Sequence, residues 1–332
     1  MKIGIIGAGS WGSALAIYFS NLGYEIELWV REPELFEHLK KFRENYLFLD
    51  GFKFNELVNF KDDLRSFEES DVIFLAIPVQ HLREILKVLK EFLKGKKNLV
   101  NCSKGIEIET LKIPSKIIEE ELKGKIKNLA TLSGPTFSRE VASGLPTAAV
   151  FASRREEFAK FLQEKFSSQT FRFYRSEDLI GVELAGALKN IYAIGSGIIK
   201  AMNLGANSWA SYLTRALHEM KRFCMFFGGK ERTLSGLAGF GDLILTSSFE
   251  LSRNFTLGLR IGKGEKLEKI LEGMSMVAEG AFTLKAVHKI ILEKSIEMPI
   301  AQVLYEILYE DLNLKVAIQK LMTRTLKEET KI

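Results

Sequence analysis

"KIGIIGAGSWGSALAIYFSNLGYEIELWV", residues 2–30, carries a short β-branched run, a glycine turn, a helical segment and a second apolar run, in that order. The turn is Gly7-Ala8-Gly9-Ser10-Trp11-Gly12. Glycines in such a turn permit a tight bend, close backbone approach to a pyrophosphate and close helix–sheet packing, while the helix N-terminus receives the anion. A bare GxGxxG pattern says little. Set between a strand and a helix, with another strand following, it reads as a dinucleotide-binding loop rather than a structural turn.

The same alternation continues outward. Apolar runs "DVIFLAI", "NLVNCS", "LATLSG", "TAAVFAS" and "TFRFYRS" are separated by helical or loop segments up to residue 176. Strands alternating with helices predict a parallel sheet covered on both faces. After Glu177 helical periodicity takes over, as in "ASYLTRALHEMKRFCMFF" and "AQVLYEILYEDL". The expected class is α/β: an N-terminal Rossmann-type doubly wound sheet over residues 1–177, followed by an all-α domain over 178–332.

The end of the second strand selects the dinucleotide. An NAD-preferring site places Asp or Glu there for the ribose 2′-hydroxyl, whereas an arginine accommodates a 2′-phosphate. Here the strand ends "WVREPE", so Arg31 stands at the 2′-position with Glu32 directly after it. NADP(H) is favoured and NAD(H) is compatible. Two further loops follow strands at the ligand edge. One holds Pro78 and His81, the histidine reading as structural; the other holds Lys104, a candidate for touching substrate or nicotinamide.

A second stretch, "GVELAGALKNIYAIGSGI" (181–198), is an apolar helix with Lys189 near its middle. A lysine in such packing either lays its stem along apolar surface with the amine in water, or finds partners. Its neighbours at helical spacing are Ala185, Gly186, Tyr192 and Ala193, and the three that are small leave space for a ligand beside the amine.

Composition narrows the classes. The chain has 332 residues, 46% hydrophobic and 27% charged, with a net charge of +5. Its basic residues are interleaved with acidic ones, which argues against a nucleic-acid-binding stripe. No apolar run is long enough to span a bilayer, and the N-terminus lacks a signal-peptide pattern, so a cytoplasmic location is expected. Cys102 and Cys224 lie far apart and His38, His81, His218 and His288 do not cluster, so free thiols and no metal are expected. The expected partner is a small-molecule substrate, with neither nucleic acid nor membrane; a homodimer is compatible with the sequence.

Ketone reduction by hydride needs a proton for the forming alkoxide. Without a histidine cluster or metal site, Lys189 is the best acid available. A nearby second cation would lower its proton affinity, with Lys104 the candidate for that part, and Asp242 would oppose the shift while orienting the amine. Asp242 also reads simply as a turn residue after "GFG". Ser252-Arg253-Asn254 resembles a helix start, with Ser252 as N-cap and an arginine fork for a phosphate.

Taken in order, Gly7–Gly12 with its tryptophan, "SKG" (103–105), "LSGPTFSREVA" (132–142), "ELAGALKN" (183–190), "GLAGFGDLILT" (236–246), "SRN" (252–254) and "VAEG" (277–280) resemble the bacterial-type NAD(P)-dependent glycerol-3-phosphate dehydrogenases. The likeness runs to about residue 310. It implies cofactor contacts at Ser10, Trp11, Arg31, Lys104, Ser138, Arg253, Val277 and Glu279. It implies substrate contacts at Lys104, Gly134, Thr136, Lys189, Asp242, Ser252, Arg253 and Asn254, with Lys189 as proton donor and acceptor. Two positions depart from the family pattern: Ser138 stands where alanine is usual, and the cysteine usual after Thr246 is missing. The expected reaction interconverts sn-glycerol 3-phosphate and dihydroxyacetone phosphate, supplying glycerophospholipid synthesis. The rivals are a related two-domain dehydrogenase for another hydroxy acid or sugar phosphate, and a redox sensor that binds NADP without turnover.

Overall fold

The computed structural model describes residues 1–273 and 278–329. The chain packs into two compact units, one formed by residues 1–104 and 112–183, the other by residues 105–111 and the chain from 184 onward. By packing, the division falls between Glu183 and Leu184, within the helix Leu179–Ala201 and beyond the 177/178 step read from sequence. No compositional mark separates one stretch of a continuous helix from the next.

The first unit is built on one sheet of β1 (Lys2–Ile6), β2 (Glu25–Trp29), β3 (Val58–Lys61), β4 (Val72–Leu75), β5 (Lys97–Asn101), β6 (Ile126–Ser133), β7 (Thr147–Ala152) and β8 (Phe171–Ser176). Their spatial order is β3-β2-β1-β4-β5-β6-β7-β8. The order reverses at β1, where Ile3 pairs with Ile26 of β2 on one side and Val72 of β4 on the other. Such a switch point opens a crevice at the carboxyl ends of the strands.

Neighbouring strand residues face opposite sides, and both sides are covered. Ile3 and Ile5 join a core with Ala14, Leu15 and Phe19 of the helix Ser10–Asn21. Ile6, Ile73 and Leu75 join Leu82, Leu86 and Leu89 of the helix Val79–Phe92. Burial on both faces is why these strands read as unbroken apolar runs rather than alternating ones.

Two features depart from the sequence reading. β3 was not expected: it is a short edge strand in which only Val58 is buried, so its apolar signal is faint. β7 runs antiparallel to β6, whereas the other strand pairs are parallel. The connecting segment 134–146 holds only the short helix Ser138–Ala142 and makes no crossover that would return the chain to the starting edge.

Among the described residues the regular elements of the second unit are helices. Its central helix, Leu179–Ala201, is crossed by Arg253–Gly262 at very close range: a Cβ at Gly258 would lie 1.9 Å from the Ile194 carbonyl oxygen. Glycine is the residue this crossing admits. Glu219, on the helix Gly205–Phe226, accepts hydrogen bonds from the Ile300 N–H (2.6 Å) and the Ala301 N–H (3.1 Å), and a third from the Tyr192 hydroxyl (3.0 Å). It thereby satisfies the first turn of the helix Pro299–Tyr309, whose donors have no partner within the helix. Among the described residues, no helix is long and apolar enough to cross a membrane.

Candidate active site

In the first unit, Gly7 follows β1 with φ of +115°, a conformation that favours glycine, and a Cβ there would sit 2.4 Å from the Ala76 oxygen. At Gly12 a Cβ would stand 1.9 Å from the Gly7 oxygen, so the helix Ser10–Asn21 could not approach the turn so closely with any other residue. Gly9 differs: its Cβ position meets nothing within 4 Å, and as N-cap it offers the helix no side-chain hydrogen bond. The orphan N–H groups of that first turn are therefore left to an outside acceptor. The indole N–H of Trp11 is shielded from water and has no acceptor among the described residues. An open glycine, an uncapped helix N-terminus and an orphan donor fit a dinucleotide pyrophosphate.

The turn is braced from behind by a residue that sequence reasoning missed. Asn45, fully buried, donates through Nδ2 to the Ala8 oxygen (2.8 Å) and to Ser13 Oγ (2.8 Å). It lies in a loop with no periodic pattern, so nothing local marks it.

Arg31 and Glu32 are found paired. The Arg31 guanidinium donates to Glu32 Oε1 from Nη2 at 2.7 Å and from Nε at 3.0 Å. The Arg31 side chain is 61% exposed, so the pair contributes about 0–1 kcal/mol and yields readily to a competing anion. Three other candidates of this unit meet at one carbonyl. Lys104 Nζ donates to the Gly134 oxygen at 3.2 Å, and Thr136 Oγ1 donates to the same oxygen at 3.1 Å. Ser138 opens the short helix that follows. His81 is exposed on the helix Val79–Phe92.

In the second unit, Lys189 is 7% exposed and its amine is not directed to water as a snorkelling lysine would be. Nζ donates to Asp242 Oδ1 at 2.9 Å and to Thr246 Oγ1 at 2.6 Å. Thr246 Oγ1 in turn donates to Asp242 Oδ1 at 3.2 Å, closing a buried triangle. Asp242 opens the helix Asp242–Ser248 after a π-type turn over Leu237–Gly241, and Thr246 lies one turn further along. Asp242 is thus more than a turn residue: it neutralises an ammonium that burial would otherwise penalise. Sequence reasoning missed Thr246 as a partner of the lysine; its i+4 spacing from Asp242 is the available signal. Ala185, Gly186, Tyr192 and Ala193 are all buried, and the Tyr192 hydroxyl is committed to Glu219.

Ser252 caps the helix Arg253–Gly262, its Oγ accepting from the Phe255 N–H at 3.3 Å. Arg253 opens that helix. Burial pulls its guanidinium below the usual arginine range, while the Glu279 carboxylate pulls the other way. Asn254 Oδ1 accepts from the Gly280 N–H at 2.9 Å, tying the start of the helix Glu279–Lys294 to this cluster. Arg253, Asn254 and Glu279 are therefore brought together; Val277 lies outside the described residues. Among the described residues no His, Cys, Asp and Glu group could hold a metal, and Cys102 and Cys224 are both buried and not joined in a disulfide.

Comparison with known proteins gives the arrangement its family. Residues 2–159 match the N-terminal profile of NAD-dependent glycerol-3-phosphate dehydrogenase, and residues 178–319 match its C-terminal profile. A glycerol-3-phosphate dehydrogenase [NAD(P)+] of Geobacter sp. (strain M21) is 42% identical over 330 residues, covering 99% of this chain and 98% of the relative. The crystal structure of glycerol-3-phosphate dehydrogenase from Coxiella burnetii superimposes with a TM-score of 0.93 at 36% identity, covering 97% of this chain and 99% of that one. The enzyme structure from Saccharomyces cerevisiae gives a TM-score of 0.83 at 27% identity, over 97% of this chain and 99% of that one. With both halves matched in order, this chain belongs to the NAD-dependent glycerol-3-phosphate dehydrogenase family.

Proposed function

We propose that this protein interconverts dihydroxyacetone phosphate and sn-glycerol 3-phosphate with NADP(H) or NAD(H), supplying the glycerol phosphate used in phospholipid synthesis. The observation that carries the reading is the buried Lys189–Asp242–Thr246 triangle. A lysine held by a carboxylate and a hydroxyl, away from bulk water, is a proton carrier in a fixed position.

Bound NAD(P)H supplies the hydride in the reductive direction. The residues of this chain do the rest. Gly7, Gly9 and Gly12, with the first turn of Ser10–Asn21, hold the pyrophosphate; Ser10 and Trp11 add contacts, and Arg31 or Glu32 meets the ribose. Lys189 Nζ delivers a proton to the alkoxide oxygen as it forms, and Asp242 keeps the amine aimed. Thr246 Oγ1 takes the remaining bond of that amine. Lys104, placed beside Gly134 and Thr136, contributes positive charge for the anionic substrate. Arg253, at a capped helix N-terminus with Ser252 and Asn254, is suited to the phosphate. In the oxidative direction Lys189 accepts the proton instead.

The test is spectrophotometric. The purified protein should oxidise NADPH when dihydroxyacetone phosphate is added, and more slowly with NADH. Turnover with another hydroxy acid or sugar phosphate but none with dihydroxyacetone phosphate would support the rival dehydrogenase. Dinucleotide binding without any turnover would support the sensor.

A further inference from the structure

The loop that presents Lys104 is organised by one side chain, Asn101, at the end of β5. Asn101 is fully buried. Its Oδ1 accepts from the Ser103 N–H at 2.9 Å, and its Nδ2 donates to the Ser103 oxygen at 3.1 Å. The amide therefore clasps the main chain of the residue just before Lys104. Thr131 Oγ1 of β6 also lies 3.1 Å from Nδ2, whose two N–H groups are shared among the neighbouring acceptors, and Thr131 Oγ1 donates back to the Asn101 carbonyl at 3.2 Å. Those bonds join the loop after β5 to the strand that leads into Gly134. Ser103 Oγ adds a bond of 2.5 Å to the Ile77 oxygen.

A primary amide can be turned end for end with little change of shape, and here the two orientations are not equivalent. Turned over, Nδ2 would face the Ser103 N–H, donor against donor, and the clasp would open. Glu183 reinforces that distinction from outside the loop. Its Oε1 accepts from Asn101 Nδ2 at 2.8 Å and would repel the amide oxygen in the other orientation. Glu183 is itself 4% exposed and held by the Ser115 N–H, at 3.1 Å to Oε1 and 3.3 Å to Oε2. Nothing in the proposed proton transfer or substrate contacts uses this carboxylate.

We propose that Glu183 is a positioning residue: it fixes the orientation of the Asn101 amide, and through it the Ser103 main chain and the place where Lys104 meets the anionic substrate. The proposal rests on the reading of Lys104 as a substrate contact. Glu183 touches neither substrate nor cofactor in this account, so its effect must travel through Lys104 and must vanish when Lys104 is absent.

The experiment is a double-mutant cycle on the full-length enzyme, with dihydroxyacetone phosphate as the varied substrate. Glu183→Ala and Asn101→Ala should each raise KM for dihydroxyacetone phosphate roughly 10- to 100-fold, the range expected for loss or misplacement of a charged contact. NADPH binding, read by fluorescence, should change far less than this KM, since the glycine turn is untouched. Glu183→Gln should return KM to near the starting value, because its carbonyl oxygen still accepts from Asn101. Made in a Lys104→Ala background, Glu183→Ala and Asn101→Ala should add little further loss.

Equal fold-losses in the two backgrounds would overturn the proposal, as would an unchanged KM in Glu183→Ala. If Glu183→Ala does not fold, the Asn101→Ala half of the cycle decides by the same criterion. An unmodified enzyme inert toward dihydroxyacetone phosphate would overturn the functional reading and this proposal with it. An active enzyme with additive losses would overturn this proposal alone.

Discussion

Lys189 Nζ lies 2.9 Å from Asp242 Oδ1, and both side chains are almost wholly withdrawn from water. Breaking such a pair from one side leaves an uncompensated buried charge and costs about 3–5 kcal/mol, whereas removing both partners costs less than the two losses added. Asp242→Asn and Lys189→Met should therefore each lower thermal stability, and the double variant should be more stable than additivity predicts. Calorimetric unfolding of the four proteins measures this. Strict additivity would mean that the two groups do not sense each other.

Catalysis separates the roles further. Lys189→Ala should lower kcat by about 10²–10⁴-fold with little change in NADPH binding. Lys189→Arg should not restore the rate, because a guanidinium does not release its proton near neutral pH. A kcat for Lys189→Arg within a few-fold of the unmodified enzyme would exclude Lys189 as the acid.

The Arg31–Glu32 pair makes a two-sided prediction about the cofactor. Arg31→Ala should erase much of the preference for NADPH over NADH. Glu32→Gln should strengthen it, since the arginine is released from an internal competitor for the 2′-phosphate. The measurement is kcat/KM with each dinucleotide; a ratio unmoved by Arg31→Ala removes Arg31 from the ribose site.

Arg253→Ala should weaken dihydroxyacetone phosphate far more than unphosphorylated dihydroxyacetone. A charge-assisted contact contributes about 1.5–3 kcal/mol, or roughly one to two decades in kcat/KM. Equal losses on the two substrates would assign Arg253 to the cofactor or the fold.

Two buried carboxyls give stability a definite pH dependence. Burial lifts Glu183 and Glu219 from 4.5 to about 7, against the opposing pull of their hydrogen-bond donors. Between those values the folded protein binds more protons than the unfolded chain, so these groups make stability fall as pH rises from about 4.5 to about 7 and level off above. Glu183→Gln mimics the protonated form and does not titrate. Its Tm relative to the unmodified protein should rise over that interval; a constant difference would mean that the Glu183 carboxyl titrates alike in both states.

What the sequence disclosed follows from how local each signal is. The glycine turn, the strand–helix alternation and the lone lysine in an apolar helix are patterns within one short window. β3 was missed because an edge strand with one buried residue has almost no hydrophobic signature. The reversal at β7 was missed because strand direction leaves no mark on residue type. In the site, Asp242 and the "SRN" cap were legible from motif and capping chemistry. Asn45, Asn101 and Glu183 were not: their long-range partners are 30 to 82 residues away in sequence, and an asparagine or glutamate looks the same whether exposed or clasped. Tertiary hydrogen bonds chose among residues that composition treats as equivalent.

The reversal at β7 divides the sheet into two directions, and that division is useful to an experimenter. Strands β1 to β6 deliver their carboxyl ends to the edge that bears the glycine turn, but β7 and β8 deliver theirs to the opposite rim. The helix Glu156–Phe166 starts on that far rim, with Glu157 exposed in its first turn. Because both native thiols are buried, Glu157→Cys would offer one reactive handle. A fluorophore attached there would follow the folding of this unit while the dinucleotide comes and goes undisturbed at the other end of the strands.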